Sequence, residues 1–385
     1  MPAMRPAIDA LPASKIREVA NAGLGRSDVL PFWFGESDEV TPQAIRDAAA
    51  QSLAAGETFY SHNLGLPELR AGIAAYATSL HGNVDVERIA VTSSGVTALM
   101  LAMQMLVGAG DEVVAVVPVW PNLTAQPAIL GARVTRVPLR PKGGVWSLDL
   151  DELLSRVTDQ TRVLLVNAPN NPTGWTLTRA EQQAMLEHCR RTGTWIISDE
   201  VYERIYFGDA KTAPSFLDIA GADDRLIVTQ SFSKSFLMTG WRLGWLVLPR
   251  GSEDAAGKVL EFNSSCAPVF IQRAGQVALG LSDSFTPGLV AHLKTCRDRL
   301  VAGLQALPGV TVAMPPGGMY AFFRVEGRDD SLAFAKDLVA RHGLGLAPGA
   351  AFGAEGEGWL RWCFASKDPA RLDLGLQRLA AAIQL

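Results

Sequence analysis

At 385 residues the chain exceeds what one hydrophobic core usually organises, so two domains of unequal size are expected. A hydrophobic fraction of 48% and a charged fraction of 19% exclude a disordered chain, and no run of about eighteen apolar residues offers a membrane span. A net charge of -4 without a Lys/Arg-rich block excludes an electrostatic footprint for nucleic acid and leaves small molecules as the expected partners.

The start, Met1-Pro2-Ala3-Met4-Arg5-Pro6, lacks the apolar stretch of a secretory signal, which points to the cytoplasm. Cys189, Cys266, Cys296 and Cys363 form no C-x-x-C pair and share no ligand-like spacing with the histidines. Reduced thiols and no metal are therefore expected. The first forty residues, rich in proline, are too short for a domain and are assigned to the smaller unit.

From about residue 89 to 250, short β-branched runs alternate with helical segments, the pattern of an α/β fold with a mainly parallel sheet sandwiched by helices. Seven strands are expected, over 88–92, 112–117, 133–137, 162–166, 194–198, 226–229 and 243–248. Several are almost wholly apolar, as strands covered on both faces are. Ligands of such sheets collect outside the carboxyl ends of the strands. The residues that follow each strand end are therefore the candidates for chemistry.

Ser93-Ser94-Gly95-Val96-Thr97 follows the first strand and opens a helix, where backbone N–H groups and the helix dipole favour a phosphate. It lacks the spacing of a nucleotide-binding P-loop. Pro118-Val119-Trp120 ends the next strand, and its indole suits either the core or stacking on a flat ring. Asn170-Asn171-Pro172-Thr173-Gly174 follows the fourth strand and by itself reads as a turn. Ser198-Asp199-Glu200-Val201-Tyr202 ends the fifth; Asp199 is either a loop cap or a carboxylate that keeps a pyridine nitrogen protonated. Ser231-Phe232-Ser233-Lys234 follows the sixth, with Gly240-Trp241-Arg242-Leu243-Gly244 downstream. Two hydroxyls and a guanidinium near a lysine suit a phosphate monoester beside a Schiff-base amine.

Beyond residue 285 the character changes to α+β: a helix over 287–307, strands at 311–313, 320–325 and 359–364, a helix over 332–342 and a last helix after Asp368-Pro369. The expected division is a large domain over 40–285 and a small one made of 1–39 plus 286–385.

With S-F-S-K-x(7)-R-x-G, N-N-P-T-G and D-E-V-Y in this order, the chain resembles the class I/II, fold-type I aminotransferases that depend on pyridoxal 5'-phosphate. The resemblance runs from about Gly35 to the C-terminus. It implies transfer of an amino group from an amino acid to a 2-oxo acid by a ping-pong route, with Lys234 holding the cofactor as a Schiff base and shuttling the proton. It further implies that Asp199 pairs with the pyridinium nitrogen, Asn171 and Tyr202 bond the ring oxygen, and Trp120 stacks on the ring. Ser94, Gly95, Val96, Ser231, Ser233 and Arg242 would hold the phosphate. Arg361, in Trp359-Leu360-Arg361-Trp362, matches the family's clamp on the substrate α-carboxylate, the alternative being a structural ion pair. Gly35 resembles the glycine that closes over that carboxylate. Tyr60 resembles a tyrosine that reaches the neighbouring subunit's phosphate, which implies a homodimer.

Two departures bear on specificity. Ser37 stands where the family commonly has proline. Val96 stands where one branch of aspartate aminotransferases carries a lysine for the distal carboxylate; with Trp33, Phe34 and Trp120 near the expected pocket, neutral or aromatic donors are favoured. Two alternatives stay open: a C–S β-lyase on the same scaffold, and an aspartate aminotransferase whose distal cation comes from elsewhere.

Overall fold

In the computed structural model, which describes residues 4–383, the seven expected strands pair into one sheet. Met1, Pro2 and Ala3, on which the expected absence of a secretory signal partly rests, and the last two residues of the expected small domain lie outside the described residues. The strands are β1 (Ile89–Thr92), β2 (Glu112–Val117), β3 (Arg133–Pro138), β4 (Thr161–Asn167), β5 (Trp195–Asp199), β6 (Leu226–Ser231) and β7 (Gly244–Val247). Their order is β1-β7-β6-β5-β4-β2-β3. Only β7 runs antiparallel to its neighbours.

Alternation along each strand builds two cores, one per face. In β4, Leu164 and Val166 enter one apolar cluster while Val163 and Leu165 enter the other, and Val114/Val116 and Val113/Ala115 divide likewise in β2. These two strands therefore read as largely apolar, because both of their faces are covered. The edge strand β3 is only half buried along most of its length.

Reversal of β7 leaves the carboxyl ends of β1, β2, β4, β5 and β6 on one side of the sheet, and this convergence places the site. Two of these strands run further than their composition suggests. β5 extends to Asp199 because Asn167 and Thr229 continue the ladder on both of its sides, and β6 extends to Ser231 because Gly244 of β7 pairs with it.

A second, antiparallel sheet comprises β8 (Val310–Val312), β9 (Tyr320–Val325), β10 (Ala347–Pro348) and β11 (Trp359–Cys363), in the order β8-β9-β11-β10. Helices Ser282–Gln305, Ser331–His342 and Ala370–Ile383 accompany it. The first of these begins five residues before Pro287, the expected start. The preceding helix, Val269–Gly280, leads straight into it, and Pro287 removes one bond, that to the carbonyl of Asp283. Near the N-terminus, Leu30–Pro31 pairs parallel with Leu344–Gly345, and helix Lys15–Ala22 packs on Ser331–His342.

Candidate active site

At the carboxyl ends of the sheet lies a cavity of about 220 Å³. Its walls include Gly35, Gly95, Val96, Trp120, Asn171, Asp199, Tyr202, Ser231, Ser233, Lys234, Arg242 and Arg361. Of the residues given a site role in the sequence, all but Ser94 and Tyr60 line it, whereas Trp33, expected near the pocket, does not.

Lys234 follows β6, and its Nζ donates to the carbonyl oxygen of Gly35 at 2.6 Å. Burial, aided by the charges of Arg361 and Arg242, brings its amine down to about 8. Asp199, at the end of the central strand β5, is 2% exposed. Burial pushes its carboxyl up to about 7, against the pull of the Val201 N–H and of Lys234. A carboxylate this deep, without an ion-pair partner among the described residues, is suited to a cationic hydrogen-bond donor from a ligand.

Tyr202 shares a 2.6 Å hydrogen bond with the hydroxyl of Tyr320 on β9, and burial holds both phenols protonated well above the ordinary range. Asn171 is anchored through its backbone N–H, which donates to Asn167 Oδ1 at 2.8 Å. Asn167 Nδ2 in turn donates to the Asp199 carbonyl.

On another side of the cavity, β6 ends and β7 begins beside the start of helix Gly95–Leu106. A Cβ on Gly244 would fall 2.6 Å from the Gly95 nitrogen and 2.7 Å from the Gln230 carbonyl oxygen, so only glycine permits this approach. Ser231 and Ser233 pair through their hydroxyls at 2.9 Å. Arg242, held in the left-handed region at φ +58°, donates to the Thr239 carbonyl and has no carboxylate partner among the described residues. Ser94 does not line the cavity: its Oγ accepts from the Thr97 N–H and contacts the Thr97 hydroxyl, capping the helix.

Arg361, on β11, is 2% exposed and lies between the rings of Tyr320 and Phe352, 4.4 and 4.9 Å from their centroids. It donates to Asn171 Oδ1 and to the Trp33 carbonyl, while its Nε has no partner. No acidic side chain among the described residues pairs with it, which argues against a structural ion pair and for an external anion.

Trp33 is displaced from the expected pocket. Its ring packs against Gly345 and Gly23, where added Cβ atoms would come within 2.3 and 2.6 Å, so only its carbonyl serves the site. Phe34 and Trp120 do line the cavity, together with Ile16, Leu99, Asn167, Val201 and Tyr320, none of which was singled out from the sequence. Tyr320 lay inside an ordinary apolar run, Tyr-Ala-Phe-Phe, and Asn167 ended a strand; their roles depend on partners distant in sequence.

Behind Tyr202, His81 is clasped by Glu203 (2.9 Å) and Asp218 (2.7 Å). Burial alone would lower it, but the two carboxylates outweigh that and push it up to about 10. This buried cation braces the turn that carries Asp199 and Tyr202.

A profile of the family "Aminotransferase class I and II" matches residues 28–379. The chain belongs to this aminotransferase family. An aspartate aminotransferase of Pyrococcus horikoshii is 32% identical over 375 residues, spanning 96% of this chain and 95% of the relative. An arginine–pyruvate transaminase of Pseudomonas aeruginosa is 34% identical over 340 residues, spanning 87% and 85%. The crystal structure of an aspartate aminotransferase from Thermotoga maritima superposes with a TM-score of 0.92 at 30% identity, covering 99% of this chain and 100% of that one. The protein is accordingly a pyridoxal-phosphate-dependent amino acid aminotransferase. The residues of this aminotransferase fit the cofactor: a half-buried lysine and a buried carboxylate face one cavity, and beside them a glycine-built cradle ends at an arginine with no carboxylate partner among the described residues.

Proposed function

We propose that Lys234, Asp199, Tyr202, Asn171 and Trp120 hold and use the pyridoxal ring, that Gly95, Val96, Ser231, Ser233 and Arg242 hold its phosphate with Ser94 fixing the helix start, and that Arg361 and Gly35 receive the substrate's α-carboxylate. One observation carries this reading: a half-buried lysine, a buried carboxylate, a buried arginine and an exposed one line a single cavity without ion-pair partners among the described residues.

When bound, pyridoxal phosphate supplies an electrophilic carbon for the amino group and a ring that accepts the electron pair left at Cα. Asp199 presents its carboxylate to the ring nitrogen, and a cationic partner there keeps that carboxylate ionised despite its burial. Arg361 fixes the α-carboxylate and so orients the Cα–H bond. Lys234 Nζ, which burial brings down to about 8 so that a fraction is uncharged near neutral pH, takes the proton from Cα and is the group that returns it. Two such half-reactions, with donor and acceptor in turn, move the amino group.

Val96, Phe34, Ile16, Leu99 and Trp120 give the cavity an apolar wall, which favours neutral or aromatic donors. The decisive experiment adds one amino acid alone to the holoenzyme. One equivalent of oxo acid per site, after which reaction stops until an oxo acid is supplied, is the expected result. Continuous pyruvate release from cystathionine or cysteine without an added oxo acid would establish the β-lyase instead.

The working unit in this proposal is a homodimer, with residues 40–285 as the large cofactor-binding domain and 1–39 plus 286–385 as the small one. Phe59, Tyr60 and Phe262 are 83%, 89% and 89% exposed, and a second copy would cover them. Tyr60 then reaches the neighbouring phosphate. Sedimentation at twice the chain mass is expected; a monomer with full activity excludes a shared site. Four unpaired cysteines suit the reducing cytoplasm, and among the described residues no helix is long and apolar enough to cross a membrane.

A further inference from the structure

A second recess, of about 500 Å³, shares no lining residue with the active-site cavity. One wall comes from residues 204–211, which continue the turn carrying Asp199 and Tyr202. The other is a stripe of helix Ser282–Gln305: Asp283, Thr286, Pro287, Val290, Ala291 and Lys294 follow one another at the steps that bring side chains to a single helical face. The first wall is stitched to the approach of β9, since the Phe207 N–H donates to the Pro316 carbonyl at 3.0 Å and the Gly318 N–H to the Ile205 carbonyl at 2.8 Å.

Two buried side chains of this recess keep polar atoms without partners. Arg204 is 4% exposed; one Nη donates to the Tyr76 hydroxyl at 3.2 Å, its Nε has no partner, and no carboxylate among the described residues pairs with it. Thr286 is 1% exposed, and its hydroxyl bonds no group, not even the carbonyl four residues back that a helical threonine often uses. A buried cation and a buried hydroxyl left open on one recess fit an anion supplied from outside. Lys211 and Lys294, both exposed, add positive charge from the two walls, against the single carboxylate of Asp283.

Between these groups the lining is apolar and flat. The Tyr206 ring folds over the bare backbone of Gly208, where an added Cβ would fall 2.6 Å from the ring edge and hydroxyl. Phe207 is steadied by the Arg297 guanidinium, 4.4 Å from its centroid. Pro287, Val290 and Ala291 complete the lining from the helix.

We infer that this recess binds a small organic anion with a flat apolar body, of the aromatic carboxylate class, which bridges residues 204–211 and helix Ser282–Gln305. Asp283 counts against a dianion such as phosphate, which also lacks an apolar surface for the two rings. The assignment does not depend on what the main cavity holds.

Calorimetry on the holoenzyme tests it with benzoate, its neutral counterpart benzamide and inorganic phosphate. Benzoate also suits the main cavity, so the titrations use Arg361→Gln, which removes the anchor there. In that variant benzoate is expected to bind at least about fivefold more tightly than benzamide or phosphate, and adding Lys211→Gln and Lys294→Gln should weaken it about fivefold. Both lysines are exposed, so their double variant in the wild-type background should fold and turn over normally, whereas a change at buried Arg204 could unsettle the fold. In crystals soaked with 4-bromobenzoate, the anomalous bromine signal should lie between Tyr206 and Val290. Absence of benzoate binding in Arg361→Gln, binding indifferent to the two lysines, equal binding of benzamide or phosphate, or bromine in the main cavity alone overturns the assignment.

Discussion

Replacing Lys234 with alanine is expected to lower amino transfer by at least about a thousandfold while leaving the protein folded. The side chain makes one hydrogen bond, to the Gly35 carbonyl, and its charge is already disfavoured by burial, so little native stability depends on it. What is lost is the single amine able to take the Cα proton within the cavity. Circular dichroism should stay unchanged, whereas borohydride should no longer fix pyridoxal phosphate to the chain. Retention of wild-type turnover in Lys234→Ala would remove Lys234 from the mechanism altogether.

The second large effect belongs to Arg361. Truncating one partner of a buried, hydrogen-bonded charge pair costs about 2–5 kcal/mol, so Arg361→Gln should reduce kcat/KM for amino acids by roughly 30- to 1,000-fold or more. A purely structural arginine could also reduce activity, and the comparison that separates the two uses an amino acid and its amide. In the wild type the free carboxylate should be strongly preferred; in Arg361→Gln the preference should collapse toward unity. A variant that is slow on both yet still prefers the acid would show that Arg361 only supports Asn171 and Trp33, its present hydrogen-bond partners.

The sheet was legible because its strands are buried on both faces, which writes them as uninterrupted apolar runs such as Val113 to Val117. Polar clusters at the ends of those runs gave the site, since a parallel sheet gathers consecutive strand ends on one side. Residues whose roles depend on pairing across the chain were not legible. Tyr320 reaches Tyr202 from a different sheet, Ile16 arrives on a short N-terminal helix, and the His81 clasp joins residues more than a hundred positions apart. Trp33 misled for the same reason: an aromatic beside Gly35 suggests a pocket wall, but the bare backbone of Gly345 offers its ring a closer fit.

The reversed strand β7 deserves its place in the sheet for a mechanical reason. Ser231 and Gly244 face each other in the ladder, so the segment between them is a loop pinned at both ends, and it carries Ser233, Lys234 and Arg242. The amine that would do the chemistry and the anchor that would grip the phosphate are thus mounted on one hairpin. A shift of register by one residue would turn the ends of that mount to the opposite face of the sheet and displace base and anchor together.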